Sequence, residues 1–179
     1  MWKIAKEFEF CYGHRVWSQT LNAEYSLDSC LKCRHLHGHQ GKLVVYLQAY
    51  ELQDGMVTDF KHLNWLKKWL DDVLDHKFIM DINDPVFPQL FPGLKDNLVM
   101  EDIDGEHSFR VPAPHLYENL EAPMNEIYEG LVFVDFVPTS ENLSKWIFDI
   151  VSEKMRKIGV KVTGVQFFET PKSQSNYIL

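Results

Sequence analysis

The stretch Cys33-Arg34-His35-Leu36-His37-Gly38-His39-Gln40-Gly41-Lys42-Leu43-Val44-Val45-Tyr46 changes character halfway along. From Gly41 to Tyr50 it is rich in Leu, Val and Tyr, which predicts a strand. Side chains on a strand alternate with period two, so His37 and His39 would share a face. Two imidazoles roughly 7 Å apart on one face can both reach a zinc ion at about 2.0–2.1 Å from each nitrogen. His35 has the same parity but precedes the strand start. A third ligand has to come from another element, and His14 is the natural donor. Three histidines with no fourth protein ligand leave a coordination position open, the arrangement of a catalytic zinc site.

Working outward, Phe8 and Phe10 alternate with Glu7 and Glu9, which predicts a first strand over 3–10, a hairpin partner for the second. Trp17 to Leu36 reads as irregular, and Asp54-Gly55 as a turn. Beyond it the period changes. Phe60, Leu63, Leu66, Leu70, Val73 and Leu74 recur at three- and four-residue steps, predicting an amphipathic helix capped by Asp59 or Thr58. A second helix carries Thr139 or Ser140 as cap, Glu141 in its first turn and the stripe Leu143, Ile147, Ile150, Val151 and Ile158. Gly159 stands where a left-handed terminator is wanted. A strand-like run, Val160 to Glu169, precedes a polar tail. The middle, 84–135, is acidic and punctuated by proline; Leu98 to Val111 suits a hairpin turning at Asp104-Gly105, and Leu131 to Val137 a strand.

The 179 residues suit one domain, 1–179, with 84–135 as an insertion. A formal charge of −8 argues against a duplex nucleic-acid partner. No apolar run reaches membrane-spanning length, and the charged start Lys3 to Glu7 does not suit a signal peptide. Three cysteines, an odd number, fit a reducing compartment, hence a cytoplasmic protein.

Other residues with chemical potential have competing readings. Cys30 and Cys33 form a Cys-x-x-Cys pair that two of the histidines could complete into a structural zinc knuckle. Asp75 and His76 are adjacent at the end of the first helix, where the carboxylate can fix the imidazole tautomer or the pair can simply cap the helix. Glu169 ends an apolar strand; it is either solvated or the partner of a ligand with a guanidine-like edge. His62, His107 and His115 lack such company, and Cys11 reads as a packing thiol.

In order, Phe10-Cys11-Tyr12-Gly13-His14-Arg15, Cys33-x-x-x-His37-Gly38-His39, Gly55-Met56-Val57-Thr58-Asp59-Phe60, Leu74-Asp75-His76, Pro138-Thr139-Ser140-Glu141-Asn142-Leu143 and Phe168-Glu169-Thr170-Pro171 resemble the 6-pyruvoyltetrahydropterin synthase / 6-carboxytetrahydropterin synthase family. The resemblance implies an α+β tunnelling fold (T-fold): a four-stranded antiparallel sheet with two antiparallel helices on one face. Such subunits form homo-oligomers, trimers around a barrel stacked into a hexamer, with active sites between subunits. It further implies Zn2+ on His14, His37 and His39, Cys33 as general base with a depressed thiol pKa, and Asp75 and His76 as a relay beside it. Glu169 would anchor a pterin, with Thr139, Ser140 and Glu141 lining its pocket.

The family's substrate is 7,8-dihydroneopterin triphosphate. Its biopterin-pathway members usually place five residues between the cysteine and His-Gly-His, its queuosine-pathway members three, as Cys33 does here. The folate-forming branch carries Glu in place of the cysteine. The resemblance therefore implies a 6-carboxytetrahydropterin synthase, with 6-pyruvoyltetrahydropterin synthase as the alternative and a non-catalytic zinc-stabilised binding module as the non-enzyme reading. The sixty-one residues between His76 and Pro138 depart from the short family pattern. An acidic lid would repel a triphosphate, so the added part is expected on the outside of the assembly.

Overall fold

The computed structural model describes residues 1–103 and 107–179. In chain order its elements are β1 (Trp2–His14), β2 (His37–Ala49), α1 (Asn64–Val73), β3 (Lys77–Asp81), α2 (Phe87–Leu90), β4 (Leu98–Ile103), β5 (His107–Pro112), α3 (Met124–Glu129), β6 (Leu131–Val134), α4 (Ser140–Arg156), β7 (Lys161–Thr170) and β8 (Ser173–Ile178). Short 3-10 turns, among them Lys32–Arg34 and Phe60–Leu63, join some of them.

Period-two alternation builds the central pair. Phe8, Phe10, Tyr12 and His14 are buried on one face of β1, while Glu7 and Glu9 are exposed on the other. β1 and β2 pair antiparallel along their whole length, from Trp2 opposite Ala49 to His14 opposite His37. β2 passes its other edge to β7, with a register shift after Tyr46, and β7 to β8. β1, β2 and β7 are three of the expected strands.

The sheet does not stop there. It has eight strands in the order β4-β5-β6-β3-β1-β2-β7-β8 and is mixed, which corrects the expectation of a four-stranded antiparallel sheet. β3 runs parallel to the last residues of β1, Tyr12 to His14, and β6 runs parallel to β3. The β4–β5 hairpin closes that edge. The cause is the middle segment, which extends the sheet instead of merely looping out. Its Phe87, Leu94, Leu131 and Phe133 form a separate apolar cluster with Met80 of β3. The expected Asp104-Gly105 turn lies outside the described residues.

The polar tail was a further surprise. Ser173 to Ile178 forms β8 although its burial pattern alternates only weakly, because the unpaired edge of β7 supplies the ladder.

Both amphipathic stripes pack on one face of the sheet. Leu63, Leu66, Leu70 and Leu74 meet Leu143, Ile147, Ile150 and Val151 in one core with Leu43, Val45, Leu47, Val165 and Phe167. Trp69 meets Trp146 edge-on at 5.4 Å, and Lys154 lies over Trp65 at 4.8 Å, so α1 and α4 run antiparallel. Asp59 caps the turn before α1 by accepting from the Lys61 N–H, and Thr139 caps α4 by accepting from the Asn142 N–H. Phe60 and Ile158, read as core, are about half exposed because each lies just outside its α-helix. Gly159 does adopt a positive φ of 74°. Leu70 is fully buried between the helices and the sheet. Leu70→Ala is expected to cost about 2–5 kcal/mol, read as a lower denaturant midpoint at unchanged slope.

Candidate functional site

The β1–β2 register brings three histidines to one end of the core-facing sheet surface. His14 and His37 are direct partners, and His39 lies opposite Tyr12. The ring centroids of His14 and His37 are 4.6 Å apart, those of His37 and His39 4.9 Å, and those of His14 and His39 5.1 Å. One donor nitrogen from each falls within 4.8 Å of the other two.

The tautomers follow from the neighbours. His14 Nδ1 lies 2.7 Å from the Pro138 carbonyl oxygen and His37 Nδ1 lies 2.8 Å from that of His35. A carbonyl only accepts, so each Nδ1 carries the proton and each Nε2 presents a lone pair. Those two Nε2 atoms are 3.1 Å apart. Two lone pairs facing each other at that distance repel unless a cation lies between them. His39 Nε2 is buried with no hydrogen-bond partner among the described residues. Three imidazoles, two of them oriented by backbone carbonyls, thus present convergent ring nitrogens that fit a zinc-class ion at this point.

Electrostatics agree. Burial is the main cause that lowers the His14 pKa to about 4, with His37 and His39 adding to it against the Pro138 hydrogen bond. Burial also lowers the His39 pKa, against the pull of Glu169. Both rings therefore stay neutral, as ligands must be. Glu169, which faces this site across β2, places Oε1 3.4 Å from His14 Nε2 and 3.7 Å from His39 Nε2.

Sequence reasoning missed Tyr12. Its ring packs edge-on against His14 at 5.2 Å and Phe167 at 5.6 Å. Burial, reinforced by Glu169, pushes its phenol up, so it remains protonated. The signal was available in the alternation Phe8, Phe10, Tyr12, His14.

Gly38 separates the two β2 histidines for a steric reason. A Cβ there would stand 2.9 Å from the Tyr12 carbonyl oxygen, and backbone cannot yield cheaply. Gly38→Ala is expected to push the β1–β2 ladder apart locally and weaken metal binding by about 10–100-fold, the range seen when ligands are misaligned. Titration with a competing chelator reads this out.

Cys33 sits in the Lys32–Arg34 turn, which is tied down from several sides. Its N–H donates to Gln19 Oε1 at 3.0 Å, and its carbonyl accepts from the Val16 N–H at 2.8 Å. Arg34 donates twice to the Gln19 carbonyl, and Arg15 donates to the Arg34 carbonyl. Arg15 is in turn held by Asp84, 2.7 Å away, whose side chain is fully buried. The first residue of the acidic middle segment therefore braces the thiol loop. Burial and then Glu169 push the Cys33 thiol up. The depressed pKa expected for it is not met within one chain.

The Asp-His pair lies elsewhere. Asp75 Oδ1 accepts from the Cys11 N–H at 2.7 Å, and Oδ2 stands 2.9 Å from His76 Nδ1. Burial works against the Asp75 carboxylate, yet the Cys11 amide and His76 outweigh it and hold its pKa below the usual range. Among the described residues, no hydrogen bond or ion pair joins Cys33 to either residue. Cys11, read as a packing thiol, is half-buried on the opposite sheet face from Phe10 and Tyr12 and meets Asp75 and His76 instead. Cys30 is exposed, and neither Cys30 nor Cys33 joins a convergent metal-donor set among the described residues, so the knuckle does not form here.

Thr139, Ser140 and Glu141 open α4, next to the Pro138 carbonyl that holds His14. Ser140 is anchored through its carbonyl by the Ser175 hydroxyl at 2.6 Å. Two hollows meet at Gly38-His39-Gln40. One, of about 520 Å³, includes Glu169, Thr170 and Phe168; the other, of about 650 Å³, includes Cys11, His37 and His76. No helix among the described residues is long and apolar enough to cross a membrane.

Comparison with known proteins gives the family. A 6-carboxy-5,6,7,8-tetrahydropterin synthase of Aquifex aeolicus is 31% identical over 186 residues, covering 98% of this chain and 97% of that one. A protein of the same name from Rickettsia conorii is 29% identical over 147 residues, covering 80% of this chain and 93% of that one. The crystal structure of an uncharacterised protein from Wolinella succinogenes superimposes with a TM-score of 0.92 at 51% identity, covering 99% of this chain and 97% of that one. A Plasmodium vivax 6-pyruvoyltetrahydropterin synthase variant shares the fold, with a TM-score of 0.58 at 19% identity over 98% of this chain and 95% of that one. The family described as 6-pyruvoyl tetrahydropterin synthase matches residues 3–178, and the chain belongs to it.

Proposed function

We propose that the chain is a zinc-dependent 6-carboxy-5,6,7,8-tetrahydropterin synthase. It would convert 7,8-dihydroneopterin triphosphate, with one water, into 6-carboxytetrahydropterin, acetaldehyde and triphosphate. The observation that carries the reading is the convergence of His14, His37 and His39 with the Glu169 carboxylate beside them. The relatives that carry the same name, and the three-residue spacing from Cys33 to His37, favour the carboxy branch.

In this reading Glu169 turns from the histidines to the substrate. Its two oxygens accept from the pterin's guanidine-like edge, a paired charge-assisted contact that fixes the ring. The hollow of about 520 Å³ that Glu169 lines suits a molecule of that size. Thr139, Ser140 and Glu141 flank the ring from the start of α4. Zinc held by the three histidines supplies Lewis-acid stabilisation of the negative charge that develops on the substrate side chain. Cys33 removes the side-chain proton as general base. Its own surroundings raise its pKa, so it needs a partner to hold the thiolate.

Asp75 and His76 are that partner, contributed by a neighbouring copy of the chain, since within one chain they contact Cys11 instead. The protein therefore acts as a homo-oligomer with its active sites between subunits, and a hexamer built from two trimers is the assembly proposed. Three unpaired thiols suit the reducing cytoplasm. Mass spectrometry of the product formed by the zinc-loaded protein tests the assignment. A 6-carboxy product with acetaldehyde is expected; a product that keeps its three-carbon side chain makes the enzyme a 6-pyruvoyltetrahydropterin synthase.

A further inference from the structure

The triad is one of two convergent donor sets among the described residues; the other is Cys11, Asp75 and His76. One donor atom from each of these three lies within 4.8 Å of the others, the same closeness that holds in the histidine triad. The backbone fixes their relation. The Cys11 N–H donates to Asp75 Oδ1 at 2.7 Å, and the His76 N–H donates to the Cys11 carbonyl at 2.6 Å. Cys11 and His76 line the same hollow of about 650 Å³, so solvent reaches the point between them.

We propose that Cys11, Asp75 and His76 form a second, weaker divalent-metal site that takes zinc-class ions, and that its occupation removes His76 from the proton relay. The inhibitory consequence rests on the relay reading given above; the metal site itself does not.

The donor chemistry selects the ion. A thiolate and an imidazole favour zinc-class metals over magnesium or calcium. Binding releases the Cys11 thiol proton to solvent, and the thiolate and carboxylate then offset both positive charges. Ligand atoms around a tetrahedral zinc stand roughly 3.3–3.8 Å apart, given Zn–S of about 2.3 Å and Zn–N or Zn–O of about 2.0–2.2 Å. Asp75 Oδ2 and His76 Nδ1, 2.9 Å apart, must open slightly to reach that spacing, and the largely exposed His76 side chain is free to turn. Asp75 keeps Oδ1 on the Cys11 amide and offers Oδ2, so the backbone clamp survives. With three protein ligands, the fourth position falls to water.

Cobalt(II) titration of the metal-free full-length protein tests the site. Two equivalents per chain are expected, the second bringing a near-ultraviolet thiolate-to-cobalt charge-transfer band. Cys11→Ser should lose the second equivalent and the band and keep the first; Cys33→Ala should keep both. A single equivalent without the band, or a band that survives Cys11→Ser, overturns the proposal. A second readout separates it from the relay reading. Zinc beyond the first equivalent should depress turnover of the wild type tenfold or more and leave Cys11→Ser at its basal rate. Binding of the second ion without loss of turnover keeps the site and overturns the role given to His76.

Discussion

Replacing His37 by alanine should strip the tightly held metal from the triad while leaving the chain folded. His37 is the better probe than His14 because it is only partly buried, whereas His14 is fully enclosed and its loss would also open a cavity. The substitution removes the lone pair that faces His14 Nε2 at 3.1 Å and leaves His39 and His14 as a two-ligand remnant. Loss of a supporting partner alone costs about 10–100-fold in affinity, so loss of a direct ligand is expected to exceed that range. Metal analysis after dialysis against a mild chelator should find the wild type retaining its first equivalent and the variant losing it. Circular dichroism should be unchanged. A variant that keeps the metal as tightly as the wild type would mean that His37 is no ligand and that the facing lone pairs have another explanation.

The triad was legible in the sequence because its logic is local. His-x-His on a strand needs only period two, and His14 needs only a hairpin partner whose register carries it opposite His37. Glu169 was not legible in the same way: from the residues alone it reads equally as a solvated strand end, and its place near His14 and His39 follows from tertiary pairing of β7 with β2. Both helices announced themselves through leucine stripes and side-chain caps. What was not legible depends on pairing at a distance. β8 has no hydrophobic alternation of its own and exists because β7 had an open edge. β3 and β6 join as parallel strands, and nothing within five or four residues states the direction of a partner.

The middle segment shows the same limit in its charges. Read as a sequence, its acids point outward and away from a triphosphate. Asp84 instead turns inward to Arg15, and just before the segment, at the end of β3, Asp81 accepts from the Trp17 indole N–H at 2.9 Å. A buried carboxylate is tolerated only with such a partner, so this pair ties the loop that carries Cys33 to the end of β3. Glu118, Glu121, Glu126 and Glu129 of the segment are exposed. One segment thus braces the thiol loop at its root and extends the sheet with β4, β5 and β6.

Cys33→Ala separates an enzyme from a zinc-stabilised module more sharply than any other change. In the knuckle reading Cys33 is a metal ligand, and its loss should release zinc and unfold the chain. Here the thiol stands outside both convergent donor sets, so zinc content and thermal midpoint should match the wild type. Its neighbours tolerate the change as well, because they hold the backbone rather than the sulfur: Gln19 takes the Cys33 N–H, and Val16 donates to its carbonyl. Turnover is a different matter. A positioned base contributes about 10²–10⁴-fold, and kcat is expected to fall by that amount. KM should stay nearly constant, because Glu169 and the α4 start, not the thiol, hold the pterin in the proposed mode. The relay should leave a signature in pH. Burial and Glu169 raise the thiol pKa, so activity that needs the thiolate rises with pH until the folded thiol has ionised. If His76 from a neighbouring copy offsets that rise, His76→Ala should move the rising limb of the kcat profile to higher pH as well as lowering its plateau. A Cys33→Ala protein that loses zinc and melts early would hand the thiol to the metal and end the general-base assignment.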